Sequence, residues 1–309
     1  MAAFVLVLLL AGGEVFARLV FGLGTPPLTV RGDAYEYMFR PNQDVERFGN
    51  QVFINEYGMR SEPLPDAGAK KVILVLGDSV LNGGNLTDQS ALATSILQHR
   101  LRDSGEDIYV GNVSAGSWGP GNIRGWLEAY GDLDAEIMIY VLSSHDWYDL
   151  PTFGPLDPTT HPERTPPSAL IEGALRYLPR FLSKERAVEV PASEPSVHRS
   201  SDGPNAGEDL AWLLKYSAVR GHRVCLVQHL TQVELKNGAQ FGHAEIANEF
   251  ERGRAIRLKL SDYMTLSSVD SNMYYRDDIH ISDAGQAALA LALADCIVEA
   301  RRIATGVNN

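Results

Sequence analysis

The sequence predicts a three-layer α/β/α fold built on a mostly parallel sheet. Beyond residue 70, short and almost wholly apolar runs alternate with longer segments that have a helical period. Continuous apolar strands separated by helices are typical of a parallel sheet that is covered on both faces. The chain has 309 residues, of which 45% are hydrophobic, so it is long enough to bury the core that such a fold needs.

The first strand is KVILVLG (71–77), and an amphipathic helix follows it, with Asp88 as its N-cap and Gly105 as its end. The later elements are strands at 108–112, 136–142, 222–229 and 256–260, and helices at about 121–130, 168–184, 207–219, 242–255 and 282–304. A proline-rich insertion at 147–205 interrupts the alternation, and within it 191–207 is expected to be loop or disordered.

The amino-terminal segment 2–24, AAFVLVLLLAGGEVFARLVFGLG, is apolar except for Glu14 and Arg18. As a helix it is about 34 Å long, enough to cross a bilayer core, and the two charges lie four residues apart on one face. We expect an uncleaved membrane anchor with an extracytoplasmic remainder, secreted if this segment is a cleaved signal peptide. An interfacial helix and a buried soluble helix are the alternatives. We expect 25–70 to form an extended leader and 71–309 the main domain.

The overall charge and the cysteine pattern argue against two classes of function, nucleic-acid binding and metal binding by cysteine. The net charge of −12 and the lack of a basic run argue against a nucleic-acid-binding protein. Cys225 and Cys296 each lie in an apolar pattern, which favours two buried small hydrophobic side chains over a metal site. A disulfide between them is an open alternative.

Residues with catalytic potential follow the predicted strands, and ligands bind at the carboxyl ends of parallel strands. Gly77, Asp78 and Ser79 come directly after the first strand. A serine there is by itself more often a helix cap than a nucleophile, because a nucleophile needs a base and an orienting acid. The loop YYRDDIHIS (274–282) supplies both as Asp277 and His280, three residues apart.

The next two strand ends offer groups that can stabilise an oxyanion. The second strand runs into GNVSAGSWGPGN (111–122), where Gly116 or Ser117 can present a free amide. The third runs into SSHDWYD (143–149), which carries His145. AGSWG (115–119) also resembles a nucleophile elbow centred on Ser117, but the proline and glycine after it indicate a loop where that motif needs a helix.

These blocks resemble the SGNH/GDSL hydrolase superfamily over roughly residues 70–304, interrupted by the insertion. The resemblance implies a flavodoxin-like sheet, with Ser79 as the nucleophile and its amide as an oxyanion donor. It implies Gly116 as the second donor, and Asp277 and His280 as the orienting acid and the general base. The leader is similar to those of bacterial members that carry one amino-terminal membrane segment.

One block departs from the family pattern. The family has G-x-N-D after the third strand, whereas this chain reads Ser143-Ser144-His145-Asp146. His145 replaces the asparagine as third oxyanion donor, and it can donate only in the right tautomer or when protonated. The substitution bears on the efficiency of catalysis more than on the type of reaction.

The resulting hypothesis is a serine ester hydrolase that removes short acyl groups from small-molecule or carbohydrate esters through an acyl-enzyme, without a metal or organic cofactor. An O-acyltransferase acting on a polysaccharide is the first alternative, and a catalytically weak, membrane-tethered binding or assembly protein is the second. The aromatic residues Trp147, Tyr148 and Phe153 at the start of the insertion are candidates for a sugar-binding wall.

Overall fold

The computed structural model describes residues 1–65, 71–178, 203–264 and 271–305. The strands are β1 (Thr29–Gly32), β2 (Glu36–Phe39), β3 (Gln43–Arg47), β4 (Asn50–Ile54), β5 (Lys71–Gly77), β6 (Ile108–Ser114), β7 (Ile137–Ser143), β8 (Arg223–His229) and β9 (Ile256–Lys259). The helices are α1 (Ala2–Phe21), α2 (Ser79–Asn82), α3 (Ala93–Asp103), α4 (Pro120–Tyr130), α5 (Ala169–Glu172), α6 (Gly207–Arg220), α7 (Gln232–Asn237), α8 (Phe241–Arg252), α9 (Ser271–Tyr274) and α10 (Asp283–Thr305).

The central sheet has the strand order β6-β5-β7-β8-β9, and all its pairs are parallel. In chain order this is 2-1-3-4-5, the flavodoxin-like arrangement, so the predicted fold class is confirmed. Because the strands are parallel, their carboxyl ends share one edge of the sheet. The chain changes direction of winding between β5 and β7, which is where ligands bind in such sheets.

Side chains alternate along each central strand and face two different helical layers. Ile73 and Val75 of β5 point into a core shared with α3 and α10. Leu74 and Leu76 point into a second core shared with α4, α6 and α8. Burial on both faces explains why the central strands β5 and β7 are almost wholly apolar.

The two cysteines are buried, as the sequence indicates, and they form a disulfide. Cys225 on β8 is bonded to Cys296 on α10, and both side chains are fully buried. The bond fastens the long carboxyl-terminal helix to strand β8 of the sheet. The pairing alternative that the sequence leaves open is therefore the one adopted.

The described part of the leader contains two antiparallel hairpins, β1–β2 and β3–β4, in which each strand has four or five residues. It is bound tightly to the central fold through Arg60, whose side chain is buried. The Arg60 guanidinium donates hydrogen bonds to the backbone carbonyls of Asn82 (2.5 Å) and Thr87 (2.6 Å). The leader thus holds the loop that follows Ser79.

The insertion contains a predicted helix and a predicted loop, and the structure describes more of the helix than of the loop. The helix predicted over 168–184 begins as α5 and continues as a π-helical turn, Gly173–Tyr177. Its residues 179–184, and most of the loop predicted over 191–207, lie outside the described residues. The exposed helix α1 is, among the described residues, the one long and apolar enough to cross a membrane, a test that signal sequences also pass.

Candidate active site

Ser79 lies at the carboxyl end of β5, on the first residue of the short helix α2. The preceding Asp78 caps this helix by accepting a hydrogen bond from the Val80 amide (2.8 Å). A Cβ atom at Gly77 would lie 2.7 Å from the Val141 carbonyl oxygen on β7, so only glycine fits this turn without movement. The turn therefore brings Ser79 to the winding change between β5 and β7.

The loop before α10 brings His280 and Asp277 to Ser79. The Nε2 atom of His280 lies 3.0 Å from Ser79 Oγ. The Nδ1 atom of the same ring lies 2.8 Å from Asp277 Oδ2. The structure therefore assembles three residues, predicted from segments two hundred positions apart, into one hydrogen-bonded chain. Ser117, the alternative nucleophile, is exposed in the loop between β6 and α4.

Asp277 is held as an anion by its own loop. Burial raises the pKa of its carboxyl, but the hydrogen bonds from the His280 ring and from the backbone amides of His280 and Ile279 outweigh burial and lower it. The two amides donate to Asp277 Oδ1 at 2.7 and 3.0 Å. Asp278, by contrast, accepts from the Val233 amide at the start of α7. The carboxylate beside His280 is thus Asp277, as the spacing predicts.

Two backbone amides near Ser79 are unused. Neither the Ser79 nor the Gly116 N–H has a hydrogen-bond acceptor among the described residues. The two residues occupy corresponding places, since Gly77 pairs with Ser114 and each is two positions further along its chain. The leader steadies the second loop, because the Tyr37 hydroxyl donates to the Gly116 carbonyl and the Trp118 indole N–H donates to the Tyr37 carbonyl (2.8 Å).

His145 follows β7 and lies among three carboxylates. Its Nε2 atom is 3.2 Å from Asp78 Oδ2, 3.7 Å from Asp146 Oδ1 and 3.8 Å from Asp149 Oδ2. Burial by itself lowers the pKa of His145, but the charges of Asp146, Asp78 and Asp149 outweigh burial and raise the pKa to about 10. The raised pKa favours the imidazolium form of the ring at neutral pH.

The partners of His145 respond in opposite directions. Burial raises the pKa of Asp78, but the hydrogen bond and the charge of His145 hold it below its usual range. Burial and the charge of Asp78 raise the pKa of Asp146 well above its usual range. Asp78, His145 and Asp146 have the side-chain types and the proximity to hold a metal ion. Asp78 already accepts a hydrogen bond from the Val80 amide and faces the His145 ring, and we assign no metal to the three residues.

Two further residues at this edge were not predicted as part of the site. His229 ends β8 and is fully buried, with its Nδ1 atom 2.8 Å from Ser143 Oγ. Burial lowers its pKa to about 4, so the ring is neutral. The buried Glu234 accepts from the Ser144 hydroxyl and from the amides of Thr231 and Gln240. Both residues support the turn that carries His145, and the position of His229 at a strand end is the sequence signal for it.

Comparison with known proteins gives matches among solved structures only. No protein-family model and no curated protein sequence matches this chain. Three of the matched structures each superimpose on it with a TM-score of 0.44. TesA has 16% identity over 74% of this chain and 99% of its own. The psychrotrophic esterase EstA from Pseudoalteromonas sp. has 14% identity over 74% and 98%. A member of the lipolytic protein G-D-S-L family from Veillonella parvula has 8% identity over 73% and 97%.

Proposed function

We propose that this chain is a membrane-anchored serine ester hydrolase whose nucleophile is Ser79. The observation that carries the proposal is a chain of two hydrogen bonds. His280 Nε2 lies 3.0 Å from Ser79 Oγ, and His280 Nδ1 lies 2.8 Å from the Asp277 carboxylate. A serine hydroxyl becomes a nucleophile when a base can take its proton and an acid orients that base. The sequence motifs that resemble the SGNH/GDSL hydrolases assign the same three roles.

In the proposed reaction His280 Nε2 takes the hydroxyl proton as Ser79 Oγ attacks the ester carbonyl. Asp277 remains ionised and stabilises the imidazolium that forms. The tetrahedral intermediate collapses when His280 returns this proton to the leaving alkoxide, which departs as the alcohol and leaves an acyl group on Ser79. Water then attacks the acyl-enzyme with His280 as base, and the acid and free Ser79 are released.

The negative oxygen of the intermediate needs donors that are already in position. The free amides of Ser79 and Gly116 are two such donors. We assign the third to His145, whose Nε2–H is directed to Asp78. Its Nδ1 atom has no hydrogen-bond partner among the described residues. Because the ring is an imidazolium, Nδ1 also carries a proton, and the donor is a charged one.

Hydrolysis is favoured over acyl transfer because water reaches the site. The side chains of His280 and Asp277 are 25% and 35% exposed, whereas transfer to a sugar hydroxyl requires water to be kept from the acyl-enzyme. A binding protein that has lost catalysis has no need for the hydrogen bond between Ser79 and His280. It therefore ranks below both reactions.

We infer an extracytoplasmic location from two features of the chain. The helix α1 is apolar and exposed, and the Cys225–Cys296 disulfide is of a kind that persists in oxidising compartments. Short acyl esters of carbohydrates are the substrates we place first. Of the three aromatic residues predicted as a sugar-binding wall, Trp147 is buried in the core, and Phe153, at 52% exposure, is open to a ligand.

The test is hydrolysis of p-nitrophenyl acetate, butyrate and octanoate and of an acetylated xylo-oligosaccharide by the full chain in detergent. Ser79→Ala is expected to abolish turnover, while Ser117→Ala, a matched change at an exposed serine, is expected to keep it. A folded wild-type chain without turnover on any ester, and without labelling by a fluorophosphonate at Ser79, would overturn the proposal. Acyl transfer to an added oligosaccharide that exceeds hydrolysis would instead identify a transferase.

A further inference from the structure

A second apolar surface lies beside α1, on residues 169–178. Four large side chains there point to solvent: Leu170, Ile171, Leu175 and Leu178 are 37%, 46%, 66% and 48% exposed. In the part of the chain that the structure describes, no other ten-residue run outside α1 exposes four large apolar side chains. Such a concentration is typical of an interaction surface, since large contiguous apolar patches are rare on monomeric soluble proteins.

Glu14, one of the two charged residues in α1, binds this surface to that helix. The Glu14 carboxylate accepts hydrogen bonds from the Ser168 hydroxyl (2.7 Å) and from the amides of Ala169 (2.8 Å) and Leu170 (3.0 Å). It also accepts from Arg18, one turn further along α1, at 2.8 Å. The Glu14 carboxylate therefore has hydrogen-bond partners both on α1 and at the start of α5.

A buried ion pair fixes the other end of α5. The guanidinium of Arg47 on β3 and the carboxylate of Glu172 are joined by a salt bridge, and both side chains are almost completely buried. Glu172 also accepts from the Gly24 amide (2.5 Å), just beyond α1. Within α1 itself, a Cβ atom at Gly13 would lie 3.6 Å from Leu170 Cδ1, so the two segments are in contact.

The position of the Gly13–Leu170 contact along α1 indicates what the apolar surface lies against. α1 has 20 residues, which gives about 30 Å, the thickness of a bilayer core. Gly13 lies eight residues before the helix end at Phe21, or about 12 Å from it. When α1 spans a bilayer, Leu170 and its neighbours therefore lie inside the leaflet next to the main fold and not above it.

We propose that residues 168–178 are a second membrane-embedded element, immersed beside α1 in the acyl-chain region of one leaflet. The occupant of the apolar surface is lipid hydrocarbon, and the surface is continuous with the lipid-facing surface of α1. Helical and π-helical hydrogen bonds satisfy much of its backbone, and the Glu14 carboxylate accepts from the amides of Ala169 and Leu170 at its start. The same arrangement accounts for Glu14 and Arg18 in an apolar helix, since ionisable residues at membrane depth occur with partners. This attachment is independent of the chemistry at Ser79.

The test places a fluorophore on the proposed surface of the full chain. Ile171→Cys and Leu175→Cys, each labelled with the dye NBD, are reconstituted into phosphatidylcholine–phosphatidylglycerol vesicles that contain nitroxide-labelled lipids. The native cysteines are bonded and buried, so the introduced thiol is labelled alone. Val219→Cys is the matched control, because Val219 is 79% exposed on α6, distant in sequence from both segments.

At positions 171 and 175 we expect blue-shifted emission and strong quenching by nitroxides on the acyl chains, with neither effect at 219. Emission and quenching at 171 and 175 equal to those at 219 would overturn the proposal. Shielding from aqueous iodide without quenching by the nitroxide lipids would also overturn it. That outcome would assign the surface to a protein partner, and NBD–NBD energy transfer between chains would identify a second copy.

Discussion

Replacement of His145 tests the charged donor in the candidate site. A histidine with its usual pKa near 6.5 is about 3% protonated at pH 8. With a pKa of about 10, the ring of His145 is about 99% protonated at the same pH. The loss of one oxyanion donor costs about 10²–10³ in kcat. We therefore expect His145→Ala to lower kcat by that factor at pH 8 with little change in KM, since the interaction is made in the transition state.

His145→Asn separates the donor from the charge, because it supplies a neutral amide at the same position. We expect this variant to keep more activity than His145→Ala. The activity of the wild-type enzyme should fall as pH rises towards 10 and His145 loses its proton, and this alkaline limb should be missing from the asparagine variant. The initial rate of p-nitrophenyl acetate hydrolysis, corrected for its spontaneous rate at each pH, measures both effects.

The same protonation is linked to stability. A folded-state pKa raised above the unfolded value means that protonated His145 stabilises the fold below pH 6.5. This contribution is lost as pH rises from there through about 10. NMR titration of the His145 ring, assigned by its absence from His145→Asn, measures the pKa directly. Titration near 6.5, or a kcat of His145→Ala within twofold of wild type, would refute the assignment of a charged donor.

Two further predictions concern the supports of the site. Arg60→Met leaves the buried carbonyls that Arg60 serves without a donor, and we expect a loss of about 3 kcal/mol in the free energy of unfolding by urea. The double variant Cys225→Ala/Cys296→Ala opens a link between residues 71 positions apart. Chain entropy gives a cost of about 4 kcal/mol for that loop, measured by the same method.

Each of these has a matched control. Arg31→Met removes an exposed leader arginine whose ion pair with Glu163 lies at the surface, so it should cost less than about 1 kcal/mol. An equal loss from Arg31→Met and Arg60→Met would contradict the role given to Arg60. For the disulfide, dithiothreitol should destabilise the wild-type chain and leave the double variant unchanged. A wild-type chain that is insensitive to reduction under denaturing conditions would show that the bond is absent.

Much of the fold follows from local patterns in the sequence. The apolar runs at β5, β6 and β7 predict a parallel sheet because strands that are buried on both faces are mostly apolar along their length. Asp277 and His280 could be paired from their spacing, since two residues three positions apart in one loop are close in any compact conformation. The alternation of strands and helices then brings their loop and Ser79 to one edge of the sheet.

Other features arise only from contacts between residues far apart in sequence. The pKa of His145 depends on its burial near Asp78, a residue 67 positions away. Nothing in the sequence distinguishes Tyr37 and Arg60 from the other leader residues. Their roles come from contacts of the leader with the loops beside Ser79. The bond between Cys225 and Cys296 and the seating of residues 169–178 against α1 are of the same kind. Sequence periodicity reports which face of an element is apolar and so determined the sheet, while the short spacing of Asp277 and His280 determined that local pair. Only tertiary packing decided the neighbours of each face, and with them the surroundings of His145, the disulfide and the apolar surface beside α1.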